Sequence, residues 1–353
     1  MRVRKRVRKS VGVATCLAMA GTLLAACGDD GNDGSSAGAG GSEKAVIGVD
    51  YPRADSDFWN SYIKYTPQMA AELGVEIKTT NSANDVTKLV SNVQTLLSQN
   101  AKAIVMAPQD TAAIAPSLQQ LESKKVPVVT IDTRPDTGNV AMVVRADNRA
   151  YGEQACKFLG DKLGGKGKVV EFMGALSSVN GRDRSEAFRD CMKANYAGIK
   201  VFEEATDWKG DVAAAKLQTR LASDPDINGI YMQAGGVFLA PTLQVLRQKN
   251  RLVPPTDPKH VFIVSNDGIP EELKSIRAGE IDATVSQPAD LYAKYGLYYA
   301  KAALDGKTFA PGKTDHDSTI IEVRQGVLED QLPAPLVTKD NVDDKALWGN
   351  QIG

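Results

Sequence analysis

From residue 45 onward the chain alternates short runs of β-branched residues with longer stretches whose apolar positions recur at helical spacing. AVIGV reads as a buried strand and leads into a helix over residues 58–73. VEIKT, a helix over 85–99, AIVMA, a helix over 112–124 and PVVTID continue the alternation. Strands this apolar and connections this short imply right-handed β-α-β crossovers and a parallel sheet. Near VAMVVRADN the chain leaves this series and a second one of the same plan begins. It contains a helix over 148–163, KVVEF, a helix over 181–194, IKVFEEA, a helix over 211–222, GIYMQ, a helix over 237–248, HVFIVSN, a short helix over 271–277 and IDATVSQ. A helix over 288–304 comes next, with Tyr292, Tyr295, Tyr298 and Tyr299 on a face that reads as core packing. The pattern predicts two Rossmann-like α/β lobes.

The first 44 residues have a different character. MRVRKRVRKS carries six basic side chains and no acidic one, and a mostly apolar stretch over 11–26 ends in small residues. That is the layout of a secretory signal, and at about 16 residues the apolar stretch falls short of the roughly 20 that span a membrane. The alternative is an uncleaved N-terminal anchor helix. Leu24-Ala25-Ala26-Cys27 closes the stretch and resembles the bacterial lipoprotein box, which implies a signal peptide over 1–26 and acylation of Cys27. A diacylglyceryl group supplies the two chains that stable anchoring takes. Residues 27–44, rich in Gly, Ser and Asp, cannot bury a core and read as a flexible tether.

Charge narrows the function classes. With the six leader bases gone, 36 Lys and Arg face 43 Asp and Glu. An acidic body without a basic run argues against nucleic acid, whose phosphates call for clustered Lys and Arg. The only histidines, His260 and His316, stand far apart and away from the cysteines, so no metal site is expected. Cys156 and Cys191 remain after Cys16 and Cys27 are accounted for. An even pair in an exported chain suggests a disulfide, and two buried free thiols are the alternative. No G-x-G-x-x-G, G-x-x-x-x-G-K or G-x-S-x-G elbow comes after a strand, so neither a nucleotide cofactor nor a serine nucleophile is supported.

In open parallel sheets the ligand crevice lies outside the carboxyl ends of the strands, so the residues just past each strand carry the chemistry. The first strand leads into DYPRADSDFWN, with Ser56, Phe58 and Trp59; PVVTID ends in Asp132; the loop after KVVEF offers Arg182 and Arg184. Trp208 comes after IKVFEEA, Gln233 after GIYM, Asp267 after HVFIVSN, and Gln287 ends IDATVSQ. Large aromatics suit the C–H faces of a sugar ring, while carboxylates, amides and a guanidinium match its hydroxyl edge. Because unpaired buried carboxylates are costly, Asp132, Asp267 and Arg184 are expected to neutralise one another. Taken singly, Asp267 has a helix cap as its alternative, Arg184 a surface residue, and Phe58 and Trp59 core packing.

The order DFWN, VTID, RDRSEAF, TDW, NDGIP, ATVSQ resembles the ribose/galactose-type periplasmic binding proteins that serve ABC importers. The resemblance runs from residue 45 to about 304 and fades beyond, apart from one strand near 319–323. It implies a type I periplasmic binding protein fold and ligand-binding roles for Ser56, Phe58, Trp59, Asp132, Arg184, Trp208, Gln233, Asp267 and Gln287. It also implies three crossings between lobes, near 145–148, 286–289 and 315–318. The first lobe would then comprise 45–146 with 288–316, and the second 147–287 with 317–353. The chain departs from the ribose binders where Thr133 stands directly after Asp132, where Gln233 replaces an asparagine, and where Asp57 replaces a proline. These departures leave a ring-sized sugar or polyol as the expected ligand and put ribose itself in doubt. The function implied is a monomeric, lipid-anchored binding protein, without enzymatic activity or cofactor, that closes on its ligand and hands it to an ABC permease and its ATPase. The alternatives are a solute-sensing receptor component and a carbohydrate-active enzyme.

Overall fold

The computed structural model describes residues 44–352. The basic leader, Cys27 and the glycine-rich stretch up to residue 43 lie outside the described residues.

In the first lobe the elements are β1 (Val46–Tyr51), α1 (Asp57–Leu73), β2 (Glu76–Asn81), α2 (Val86–Ser98), β3 (Ala103–Met106), α3 (Ala115–Ser123), β4 (Val128–Ile131) and β5 (Met142–Ala146). The second lobe holds α4 (Asn148–Lys162), β6 (Lys166–Met173), α5 (Val179–Asn195), β7 (Gly198–Ala205), α6 (Gly210–Ser223), β8 (Gly229–Met232), α7 (Gly235–Gln248), β9 (Phe262–Asp267), α8 (Pro270–Ala278) and β10 (Ala283–Ser286). The chain returns through α9 (Ala289–Leu304), β11 (Gly312–Lys313), β12 (Thr319–Arg324) and β13 (Val327–Leu332), then adds β14 (Leu336–Thr338) and a short 3-10 turn over Trp348–Asn350.

One sheet has eight strands in the order β11-β12-β13-β5-β4-β3-β1-β2, and the other six in the order β14-β10-β9-β8-β6-β7. Pairing is parallel except at β11–β12, β12–β13 and β10–β14. The central strands β1, β3, β4, β5, β8 and β10 are buried at every position. Helices therefore cover both faces of each sheet, which is why these strands read as unbroken apolar runs. The strand order reverses between β1 and β3 in one sheet and between β6 and β8 in the other, and a crevice opens at such switch points.

In the second lobe α4 and α5 pack so closely that a Cβ on Gly152 would stand 2.3 Å from the Arg184 carbonyl oxygen. A disulfide joins Cys156 of α4 to Cys191 of α5, 35 positions apart in sequence. In the chain-entropy model a loop of that length is worth about 4 kcal/mol.

The third crossing lies elsewhere than expected. Residues 317–332 belong to the first lobe, because β12 and β13 form a hairpin and β13 runs parallel to β5, with Gln331 opposite Arg145. The chain crosses at residues 333–335, and only β14 joins the second sheet. The expectation failed because β13, VLEDQL, carries two acids that look like surface residues. Both are buried: Glu329 lies 2.8 Å from Arg134 and 3.8 Å from Arg145, and Asp330 accepts from Tyr299 and Ser318 and pairs with His316. The other crossings come directly after β5 and β10. Beyond β14 the chain runs over α8, where Val342 and Leu347 join the second lobe's core, and ends with Trp348 and Ile352 against the core cluster of α1 and α9.

Candidate functional site

The crevice between the lobes is built from the first residues after each strand. Ser56 is the N-cap of α1, yet its side chain makes no capping bond. It faces the second lobe instead, where a Cβ on Gly236 would come within 2.8 Å of Ser56 Oγ. Phe58 and Trp59 occupy the first turn of α1 with their rings edge to face at 5.2 Å. Asp132, at the end of β4, has φ 60; Asp267, at the end of β9, has φ 125; Asp207 and Trp208, after β7, have φ 51 and 55. Left-handed backbone is disfavoured for residues with a Cβ and tends to gather where function positions a side chain.

Eight of the nine residues singled out from the sequence line one cavity: Ser56, Phe58, Trp59, Asp132, Arg184, Trp208, Asp267 and Gln287. Gln233 does not. It is fully buried behind the cavity, where its amide donates to Glu171 and Ser185 and its side-chain oxygen accepts from Gly174 N–H. A residue at a strand end can point forward into the crevice or back under it, and Gln233 points back, where buried polar partners satisfy it. Arg53, Gln109 and Asn180 complete the polar lining and were not singled out. Asn180 lies one helical turn ahead of Arg184 on α5, and that i, i+4 spacing was the signal available for it.

Phe58 and Trp59 are both core and cavity wall, only 2% and 7% exposed. On the other lobe Trp208 stacks on Phe238 at 6.4 Å, and Arg184 lies over its ring at 5.8 Å. Trp208 covers Gly174 so closely that a Cβ there would fall 1.9 Å from the indole.

Arg184 does not neutralise the carboxylates by direct contact. Its Nε donates to Asn148 at 2.6 Å, Nη1 to the Gln233 carbonyl, and Nη2 to Gln287 Oε1 at 2.8 Å. Among the described residues it forms no ion pair with Asp132 or Asp267. Burial therefore dominates both acids. It pushes Asp132 up to about 6, against the opposing fields of Arg184 and Arg145 and the Asn180 hydrogen bond. It pushes Asp267 up to about 7, opposed by Arg184 and by the Gly236 N–H at 2.8 Å. Behind them, burial and then the charge of Asp267 raise Glu272 to about 8. Burial also pushes Glu171 well above the carboxylate range. Asp132 Oδ1 and Trp208 Nε1 have no partner among the described residues, so an acceptor and a donor remain for a ligand.

The lobes meet on both sides of this cavity. At the mouth Arg182 pairs with Asp136 at 2.5 Å, Thr111 N–H donates to the Ser177 carbonyl, and Arg53 reaches the Trp208 carbonyl at 3.5 Å. Deeper in, Asn180 bonds Asp132, and Arg145 pairs with Asp183 at 3.1 Å. This is a closed arrangement. Among the described residues no cluster of three or more His, Cys, Asp and Glu side chains could hold a metal ion, and no helix is long and apolar enough to cross a membrane.

The family model of the periplasmic binding protein domain matches residues 47–308. The ribose import binding protein RbsB of Bacillus subtilis is 27% identical over 302 residues, covering 85% of this chain and 95% of that protein. A xylitol-binding protein of Mycolicibacterium smegmatis is 29% identical over 271 residues, covering 76% of this chain and 70% of that one. Among solved structures, an ABC transporter solute-binding protein from Mycobacterium smegmatis with bound glycerol superposes with a TM-score of 0.74 at 25% identity, covering 85% of this chain and 96% of that one. The arabinose-binding component from Shewanella sp. ANA-3 reaches 0.75 at 17% identity, covering 87% and 96%, which shows the fold.

Proposed function

The chain belongs to the ribose/galactose-type family of periplasmic binding proteins, and from that premise we propose that it captures an uncharged sugar or polyol and delivers it to an ABC importer. The observation that carries this is the composition of the cavity. Aromatic rings from both lobes, Phe58 and Trp59 on one and Trp208 on the other, stand among carboxyls, amides and a guanidinium that match several hydroxyls at once. Two carboxyls beside a guanidinium already engaged by neutral acceptors disfavour an anionic ligand. RbsB and the xylitol-binding protein are relatives named for a pentose and a pentitol.

The mechanism rests on the two lobes. A ligand that contacts both stabilises the closed state by those extra contacts alone, and an importer that recognises the closed form then distinguishes loaded from empty protein. Ser56, Phe58, Trp59 and Asp132 would hold the ligand from one lobe and Arg184, Trp208 and Asp267 from the other, with Gln287 at the second crossing. The leader and Cys27 fit an extracytoplasmic protein tied to the membrane by lipid, and incorporation of labelled palmitate that is lost in Cys27→Ser tests that tie.

The function itself is tested by a thermal-shift screen of the chain from Ser42 onward against pentoses, hexoses, pentitols, inositols, nucleosides and amino acids. A ligand at a hundred times its Kd stabilises by about 2.7 kcal/mol, a shift of several degrees. Stabilisation by a sugar or polyol that disappears in Asp267→Ala and Trp59→Ala supports the reading. Stabilisation only by nucleosides or amino acids overturns the ligand class.

A further inference from the structure

We propose that Trp348, in the C-terminal segment, is a positioning residue for ligand capture that fixes one cavity residue of each lobe at once. The proposal rests on the reading of the cleft as a sugar or polyol site. Trp348 lies 40 residues beyond the end of the matched family region at residue 308 and does not line the cavity. It is nevertheless buried, 3% exposed. Its Nε1 donates to the backbone carbonyl of Asp267 at 3.3 Å, and its ring meets the Phe58 ring edge to face at 6.1 Å. The Tyr65 hydroxyl donates to its carbonyl at 3.5 Å, which ties it again to α1.

The neighbouring residues are shaped for this seat. A Cβ on Gly349 would fall 2.3 Å from the Gly268 carbonyl oxygen, so the tail backbone lies directly against the turn after Asp267. Arg277 on α8 clamps the same segment through Asp343 at 2.7 Å, the Val342 carbonyl at 2.9 Å and Asn350 at 2.7 Å. Asp267 sits at φ 125, a backbone angle that persists only where surroundings over-determine it. The tail supplies part of that determination. Phe58 is held between Tyr292 at 6.2 Å and Trp348, so removing the indole frees the ring on that side. An aromatic wall and a carboxylate from opposite lobes thus reach their ligand-binding positions through one side chain that never touches the ligand.

Trp348→Ala and Trp348→Phe in the full chain test this, with D-ribose and xylitol as probes in calorimetric and stopped-flow titrations. The expected result is a Kd raised about tenfold or more in Trp348→Ala, carried mainly by faster dissociation. Trp348→Phe should recover part of it, because it keeps the edge contact and loses the N–H. A purely structural role would lower the melting temperature and leave Kd and the dissociation rate in place, which overturns the proposal. If the unmodified chain binds neither probe, those two ligands are excluded and positioning is read in the ligand-free protein by small-angle scattering. There Trp348→Ala must change the angle between the lobes, and identical scattering curves overturn the proposal independently of any ligand.

Discussion

Asn180 joins the lobes through a single amide: its Nδ2 donates to Asp132 Oδ2 at 3.0 Å, and its Oδ1 accepts from Arg145 Nη2 at 2.8 Å. Asp132 and Arg145 belong to the first lobe and Asn180 to the second, so both bonds exist only when the lobes are together.

Asn180→Ala should therefore weaken ligand binding more than it weakens the fold. Hydrogen bonds to charged groups are worth about 1.5–3 kcal/mol, which corresponds to a Kd raised roughly ten- to hundredfold. Isothermal titration checks the affinity and a ligand-free melt checks the fold. A large loss of ligand-free stability with unchanged Kd would contradict the assignment.

Gly174→Ala should abolish ligand-induced stabilisation. The new methyl occupies the place of the Trp208 indole, and the residue that must give way is a cavity wall. A thermal-shift comparison with saturating ligand reads this directly, and a variant that still gains several degrees would show that Trp208 can move without loss.

The buried acids predict a pH profile. Burial raises Asp132 to about 6 in the folded chain and raises the neighbouring pair of Asp267 and Glu272 together, above the carboxylate range, against about 4 when unfolded. Between those values the folded state holds protons that the unfolded state releases, so stability falls as pH rises. Their favourable contribution is complete below about pH 4 and is lost through about pH 6 to 8. Calorimetric melts of the ligand-free protein should show a declining melting temperature from pH 5 to pH 8, with a shallower decline in Asp267→Asn. A profile that rises over this range would be incompatible with carboxyls buried and proton-bearing around the cleft.

Removing the Cys156–Cys191 bridge by paired serine substitution should lower stability by about 2–4 kcal/mol. Because the bridge ties α4, which carries Asn148, to α5, which carries Arg184, ligand affinity should fall as well. Chemical denaturation and a thiol count on non-reduced protein measure both sides of this claim, and two reactive thiols in the chain from Ser42 onward, which holds only Cys156 and Cys191, would exclude the bridge.

The two-lobed architecture was legible because doubly covered strands are apolar throughout, as in AVIGV and AIVM, and because the crossings after β5 and β10 come at the ends of strands of that kind. Much of the site was legible for a related reason: a crevice at the carboxyl ends of parallel strands restricts attention to a few residues after each strand. The hairpin of β12 and β13 was hidden because Glu329 and Asp330 are buried against partners more than a hundred residues away, on α9 or on the loop before β12, a relationship that no local pattern carries. Gln233 was misplaced because alternation along a strand does not say whether its last side chain turns toward the crevice. Asn180 was passed over because the helix was read as starting at Gly181, which left Asn180 in the loop, whereas α5 already begins at Val179. Arg184 reaches Asp132 and Asp267 through its field and not by direct contact, because neutral acceptors, Asn148, Gln233 and Gln287, take its donors.

The two ends of the described chain load the molecule differently. β1 begins at Val46, at the amino end of the parallel strands and so remote from a crevice at their carboxyl ends, and a leash joined there would leave the grip on a ligand undisturbed. Ile352, in contrast, packs beside α1 near Asp57, Ser61 and Pro270, four residues after Trp348. A reporter or purification tag fused behind it would tug on the floor of the crevice, which makes the amino end the natural handle for immobilised or fluorescent versions of this protein.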